Sequence, residues 1–308
     1  MQEIAIFVVI AITIFAWWVS RAKPVTEQQK PSLRPSNLDE FVGQIKAKLL
    51  LRAMTSNGRL SDHLLLVGPA GTGKTTLARI AANGANLHTA LGGQLRSAND
   101  ALRVLRLGYD MLFVDEVHAA SRKALEILYS ALEDGIVHDK QSSWSLPIAW
   151  RFIAGTTNAG ALPAPFRDRF GQIIYLDYYP QQDIVQILRR SSTLLGLKLR
   201  RQQLVSVARR SRGVPRIANA LLRRVLDLSQ QGKVNLKEVW KVLEIDSQGL
   251  TSIDHRVLQI LRSSSKPIGL EQLARRVGVD SPTIAEAVEP YLLRLGLIDI
   301  SSGGRRAT

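Results

Sequence analysis

The stretch His63-Leu-Leu-Leu-Val-Gly-Pro-Ala-Gly-Thr-Gly-Lys-Thr-Thr-Leu-Ala78 constrains the fold of this chain more than any other. Gly68, Gly73, Lys74 and Thr75 fit the pattern G-x-x-x-x-G-K-S/T, in which backbone N–H groups of a glycine-rich turn wrap a polyphosphate at a helix N-terminus. The flanks agree with that reading. Leu64 to Val67 is an apolar run of strand length, and Thr75 to Ala82 consists of helix formers. A buried strand, a phosphate loop and a helix are therefore expected, and with them an α/β domain built on a parallel sheet. Gly71, Thr72 and Thr76 lie in the same loop and helix start and are candidate nucleotide contacts, with Lys74 as the cation that meets the phosphates.

Hydrolysis needs a second strand that carries acids, and Met111-Leu-Phe-Val-Asp-Glu116 has that form. Four apolar residues ending in two carboxylates place Asp115 and Glu116 at the C-terminal edge of the sheet, where open α/β sheets hold ligands. Asp115 is expected to hold a hydrated Mg²⁺ together with Thr75, and Glu116 to polarise the attacking water of an ATP hydrolase. Two acids at a strand end also make a solvated turn, and their distance behind a phosphate loop favours the catalytic reading. The chain has no cysteine, which excludes disulfides, thiolate zinc sites and cysteine nucleophiles, and its five histidines lack metal-ligand spacing.

Charge is unevenly placed. Residues 1–180 carry 19 basic and 15 acidic side chains, residues 181–308 carry 22 and 11, and the net charge is +15. A polyanion bound by the C-terminal part is the natural inference, with nucleic acid before anionic lipid.

At the other end, Ile4 to Val19 is apolar apart from Thr13, and Trp17 and Trp18 precede Ser20-Arg21-Ala22-Lys23. Sixteen helical residues span roughly 24 Å, against a hydrocarbon core of about 30 Å. The segment reads as a short single-pass transmembrane anchor, with a cleaved signal peptide or a buried helix as rivals. Basic residues after the span place the remainder in the cytoplasm, at an inner (cytoplasmic) membrane. Residues 24–32 read as a linker.

Further motifs follow in order: Leu33 to Gln44, the phosphate loop, Phe113-Val-Asp-Glu-Val-His118, Gly155-Thr-Thr-Asn-Ala-Gly160, Phe166-Arg-Asp-Arg-Phe-Gly171, Arg212-Gly-Val-Pro-Arg-Ile-Ala218 and Gly269-Leu-Glu-Gln-Leu-Ala274. Together they resemble the RuvB family, hexameric AAA+ motors of Holliday-junction branch migration, over roughly residues 32–308. The resemblance implies that Phe41 and Val42 lie against the adenine and that Tyr179 packs near the nucleotide. By the same resemblance Thr157 is sensor 1, Arg169 is the arginine finger that reaches a neighbour's γ-phosphate, and Pro215 and Arg216 open the sensor 2 helix. Read from the residues alone, Thr157 could cap a turn, Tyr179 could fill a core, and Arg169 could be solvated or paired within its own subunit.

The family carries a hairpin that docks its partner RuvA. The corresponding stretch here, Gly135 to Trp150, reads as shorter and holds Trp144 and Pro147, which argues against a RuvA-type partner. From Pro180 the pattern turns helical: Gln181–Leu195, Arg201–Arg210, Pro215–Leu228 and Leu236–Leu243 make a lid. Three helices (Ser252–Arg262, Leu270–Val277, Ser281–Arg294), a strand Leu297–Ile300 and a wing Ser301–Arg306 make a winged helix. The resemblance makes Arg305 a DNA contact, and Arg306 beside it is a second candidate.

The expected architecture is an α/β AAA+ P-loop domain with a parallel sheet (33–180), a helical lid (181–246), a C-terminal winged helix (247–308) and an N-terminal transmembrane helix (1–23). The expected activity is a membrane-tethered ring that moves double-stranded DNA with ATP and Mg²⁺. The alternative is a membrane-bound remodelling ATPase acting on a protein.

Overall fold

The computed structural model describes residues 32–139, 142–229 and 235–308. In chain order the strands are β1 (Leu64–Val67), β2 (Leu87–Leu91), β3 (Met111–Asp115), β4 (Ile136–His138), β5 (Ser143–Ser145), β6 (Arg151–Thr156), β7 (Gln172–Tyr175), β8 (Ile298–Ser301) and β9 (Gly304–Ala307). Five of them form one parallel sheet in the order β2-β3-β6-β1-β7.

Successive strand side chains point to opposite faces, and both faces are covered, so the inner strands β1, β3 and β6 are apolar along most of their length. Leu65, Val67, Leu112, Val114, Phe152 and Ala154 pack with helices Ala98–Leu105 and Arg122–Asp134. Leu64, Leu66, Met111, Phe113, Ile153 and Ile174 pack on the other side with helices Ile45–Met54 and Lys74–Ala82. Strand β6 lies between β1 and β3, in the registers Val67↔Thr156 and Val114↔Ala154. That insertion brings the end of β6 between the phosphate loop and the acids.

Helices Gln181–Leu194, Arg201–Arg210, Pro215–Asp227 and Leu236–Val242 share a core centred on Ile184, Leu188, Val207 and Leu222. Helices Ser252–Arg262 and Leu270–Val277 and the strands β8 and β9 pack around Leu258, Leu273, Ile284 and Leu292.

Three expectations bear comparison with the structure. The helix expected over Ser281–Arg294 divides into a π-helical Thr283–Val288 and an α-helical Glu289–Arg294, because Pro290 has no N–H to donate and crowds the preceding turn. It is capped by Asp280, whose carboxylate takes both the Thr283 N–H (2.7 Å) and its hydroxyl (2.8 Å). The stretch read as shorter than the family's hairpin holds an antiparallel pair: β4 and β5 are joined, Val137 faces Trp144, and Arg106 lies 4.7 Å over the Trp144 ring. The expected membrane span, Ile4 to Val19, lies outside the described residues. Among the described residues no helix is long and apolar enough to cross a membrane.

Candidate active site

The phosphate loop is clamped from both sides. Gly71 and Gly73 have φ of +79° and +117°, a region that disfavours side chains. A Cβ on Gly71 would also lie 2.8 Å from Val214 Cγ1 and Arg216 Cβ, and one on Gly73 would lie 2.8 Å from Phe41 Cζ. Phe41 is buried beside the loop and Val42 half-buried. From the lid side the Arg216 N–H donates to Gly71 O (3.4 Å), so the helix opened by Pro215 begins against the loop. The Tyr179 hydroxyl donates to Thr72 O (3.0 Å) while its own N–H donates to Gly213 O (2.8 Å). Burial holds the Tyr179 phenol protonated well above its usual range. Thr72 is fully buried and donates to Pro69 O, and the Gly68 N–H donates to Thr156 O (3.1 Å), tying the loop to β6.

Lys74 is 5% exposed, and its ammonium donates to Gly68 O (2.8 Å) and Pro69 O (3.3 Å). Burial lowers its pKa, with Glu116 and Asp115 pulling the other way. Thr75 donates its hydroxyl to Asp115 Oδ2 at 2.7 Å, which puts the two expected magnesium ligands side by side. Thr76 follows, half-buried, on the same helical turn.

Glu116 has φ +49° and ψ +50°, a left-handed conformation seldom adopted by a residue with a side chain. Its Oε2 accepts from the Thr157 N–H and the Thr157 hydroxyl, both at 3.0 Å, and Oε1 lies 3.9 Å from Lys74 Nζ. Two further side chains join this cluster that sequence reasoning did not single out. His118 Nδ1 lies 2.9 Å from the buried Thr156 hydroxyl and 3.4 Å from Glu116 Oε2. Gly92 packs so closely that a Cβ there would fall 2.1 Å from Glu116 O. Adjacency to the two recognised motifs was the available signal for His118 and Thr156; nothing in the sequence marks Gly92.

The remaining expected residues lie elsewhere. Arg169 follows the short helix Ala164–Arg167, and its Nη2 meets the Tyr129 hydroxyl (2.8 Å) and Glu133 Oε1 (2.5 Å) on the helix Arg122–Asp134. The pairing within the subunit is thus with Glu133, not with Asp168. Arg305, a DNA contact by the resemblance, is held within its own domain: Nε and Nη2 donate to the two oxygens of Glu289 (2.7 and 3.3 Å), and the side chains are 18% and 6% exposed. A guanidinium so enclosed is bracing the wing. Arg306, two-thirds exposed, pairs with Asp299 at 3.1 Å.

The cradle admits no side chains at its glycines, keeps an ammonium among its carbonyls, and ends in a hydroxyl–carboxylate pair. Those features suit a triphosphate with its magnesium ion. Set on the sheet's C-terminal edge beneath a helical lid, this is the nucleotide site of an AAA+ P-loop ATPase.

Comparison with known proteins narrows the class. Residues 33–176 match the Holliday junction DNA helicase RuvB P-loop domain, 179–246 the RuvB AAA lid domain, and 247–308 the RuvB C-terminal winged helix domain. The chain is 38% identical over 305 residues to the Holliday junction branch migration complex subunit RuvB of Kosmotoga olearia, with 92% of this chain and 89% of that one covered. It is 40% identical over 301 residues to the subunit of the same name from Thermobifida fusca, covering 90% and 86%. The solved Thermotoga maritima RuvB Holliday junction branch migration motor superposes with a TM-score of 0.79 at 35% identity, covering 90% of this chain and 95% of that one. The chain belongs to the RuvB family and is an ATP hydrolase.

The inner-membrane placement expected from Ile4 to Val19 is corrected by the same findings. The relatives are named as branch-migration subunits, and no helix among the described residues can cross a membrane. A sixteen-residue apolar run is in any case several ångströms shorter than a bilayer core. The membrane as a partner is withdrawn with it.

Proposed function

We propose that the chain assembles as a hexameric ring that moves double-stranded DNA at a Holliday junction. The observation that carries this reading is a continuous path of contacts from the loop to the winged helix. Arg216 touches Gly71, and Arg212, four residues earlier, donates to Gly249 and Ala287 and pairs with Asp254. A change at the nucleotide can therefore shift a DNA-binding module. The charge excess of residues 181–308 supports a polyanion there, and the β4–β5 hairpin supports docking of a RuvA-type partner.

In this reading Lys74 and the loop N–H groups bind the phosphates, with Phe41, Val42 and Tyr179 walling the nucleotide. Thr75 and Asp115 would hold Mg²⁺, which neutralises charge developing on the phosphates. Glu116 takes the proton of the attacking water, and Thr157, already bonded to that carboxylate, orients it. Arg216 carries the state of the site into the lid, and Arg169 stabilises transition-state charge on the neighbouring subunit's nucleotide.

The test is hydrolysis by the full chain at low salt, with duplex, four-way-junction or no DNA, read beside migration of a labelled junction. Stimulation together with ATP-dependent migration supports the motor. Unchanged hydrolysis and an immobile junction, with DNA demonstrably bound, would remove it.

A further inference from the structure

Tyr129 and Glu133 sit one helical turn apart on the helix Arg122–Asp134, so their side chains share a face. Arg169 lies across both. Its guanidinium carbon stands 5.1 Å from the Tyr129 ring centroid, and its Nη2 donates to the Tyr129 hydroxyl (2.8 Å) and to Glu133 Oε1 (2.5 Å). Both partners engage one nitrogen. Among the described residues no acceptor meets Nη1, Nε is buried without a partner, and the side chain stays 38% exposed. The Tyr129 hydrogen bond and the Glu133 charge both raise the arginine's pKa, against the opposing effect of burial.

A free arginine must give up rotamer freedom to adopt one geometry. A charge-assisted hydrogen bond and a ring beneath the guanidinium settle that beforehand, which is what stabilisation by fixed charges requires. We propose that Tyr129 and Glu133 are positioning residues for Arg169, holding its guanidinium by one edge so that the other meets the terminal phosphate of ATP bound to a neighbouring subunit. This inference rests on the reading of Arg169 as an arginine finger in a ring. Glu133 thereby acts on a reaction that takes place in a different subunit.

That displacement makes the proposal testable with full-length chains. Glu133→Gln, which keeps size and loses charge, should lower kcat for ATP several-fold with KM nearly unchanged, and Tyr129→Phe should lower it less. Adding Glu133→Ala to Arg169→Ala should lower turnover no further than Arg169→Ala alone, since both remove the same function. In mixed rings, Glu133→Ala subunits combined with inactive Glu116→Gln subunits should regain hydrolysis, because some interfaces then join an intact Glu116 to a correctly held Arg169. Arg169→Ala mixed with Glu116→Gln is the reference.

If the reference pair is rescued and the Glu133→Ala pair is not, the positioning role is wrong while the finger stands. Failure of both pairs in rings shown to be mixed removes the finger reading and this inference with it. A rise in turnover for Glu133→Gln would also overturn the proposal, since the carboxylate would then be withholding the arginine. Should Glu133→Ala fold poorly, Tyr129→Phe, which keeps the ring, carries the same mixing test.

Discussion

At the C-terminal edge of the sheet the buried ammonium of Lys74 rests on neutral carbonyls, whereas in the winged helix the buried carboxylates of Asp254 and Glu289 are each closed by an arginine. Arg212 spends all three guanidinium nitrogens on Gly249 O, Ala287 O and Asp254 Oδ2, and stacks 4.6 Å over Tyr291. Its carbonyl accepts from Arg294, which itself lies 3.7 Å over Tyr178. The loop contacts of Lys74 can be exchanged for phosphate oxygens without stranding a charge. An opened Arg212–Asp254 pair would leave a fully buried carboxylate without a counter-charge, held only by the Thr251 N–H and hydroxyl. Buried charge is thus kept available for chemistry in the first region and consumed as mortar between domains in the second.

The sharpest test of that difference is Glu116→Gln. Loss of a general base lowers turnover by on the order of 10²–10⁴-fold, while nucleotide binding and melting temperature should stay near those of the parent, because the carboxylate closes no core. Steady-state ATPase, nucleotide titration and thermal unfolding measured together decide it. A large fall in melting temperature would mean that this site too is architecture.

Arg212→Met is the converse. Removing one partner of a buried pair costs about 3–5 kcal/mol, read as a lower denaturant midpoint, and DNA should no longer stimulate hydrolysis in the fraction that remains folded. Asp254→Asn added to Arg212→Met should recover part of the lost stability by discharging the stranded group. A double variant no more stable than the single one would show that the pair is not what joins the lid to the winged helix.

The same difference explains which parts could be read in the sequence. The phosphate loop and the acidic strand end announce themselves because their chemistry demands particular residues at short spacing, whereas Thr157 was marked only by the family resemblance. The four lid helices and the first two helices of the winged helix follow from apolar periodicity, with ends within a residue of those expected. Strand β2 and the helix Ala98–Leu105 escaped, since an edge strand reading Leu-His-Thr-Ala-Leu with one buried residue lacks both a clean alternation and a continuous apolar run. The pairs His118 with Thr156 and Arg212 with Asp254 lie 38 and 42 residues apart and exist only because β6 enters between β1 and β3, or because the lid meets the winged helix. The pairing of Arg305 was hidden for a related reason: the resemblance makes it a DNA contact, and nothing local reveals that Glu289, 16 residues earlier, will enclose it.

The finest distinction lies between neighbouring arginines. Arg305→Met should destabilise the winged helix, because Glu289 is 6% exposed and would lose its counter-charge; any loss of DNA binding should then follow the loss of folded protein. Arg306 and its partner Asp299 are 66% and 48% exposed, and a surface pair of that kind contributes about 0–1 kcal/mol. Arg306→Ala should therefore leave unfolding almost unchanged. If its guanidinium can leave Asp299 for a phosphate, duplex affinity plotted against salt on logarithmic axes should become shallower by about 0.9, the slope of one contact. The weakening should be equal for unrelated DNA sequences, since a phosphate contact carries no base information. An unchanged slope for Arg306→Ala, together with a reduced slope for Arg305→Met in fully folded protein, would reverse the two assignments and make the enclosed arginine the one that opens onto DNA.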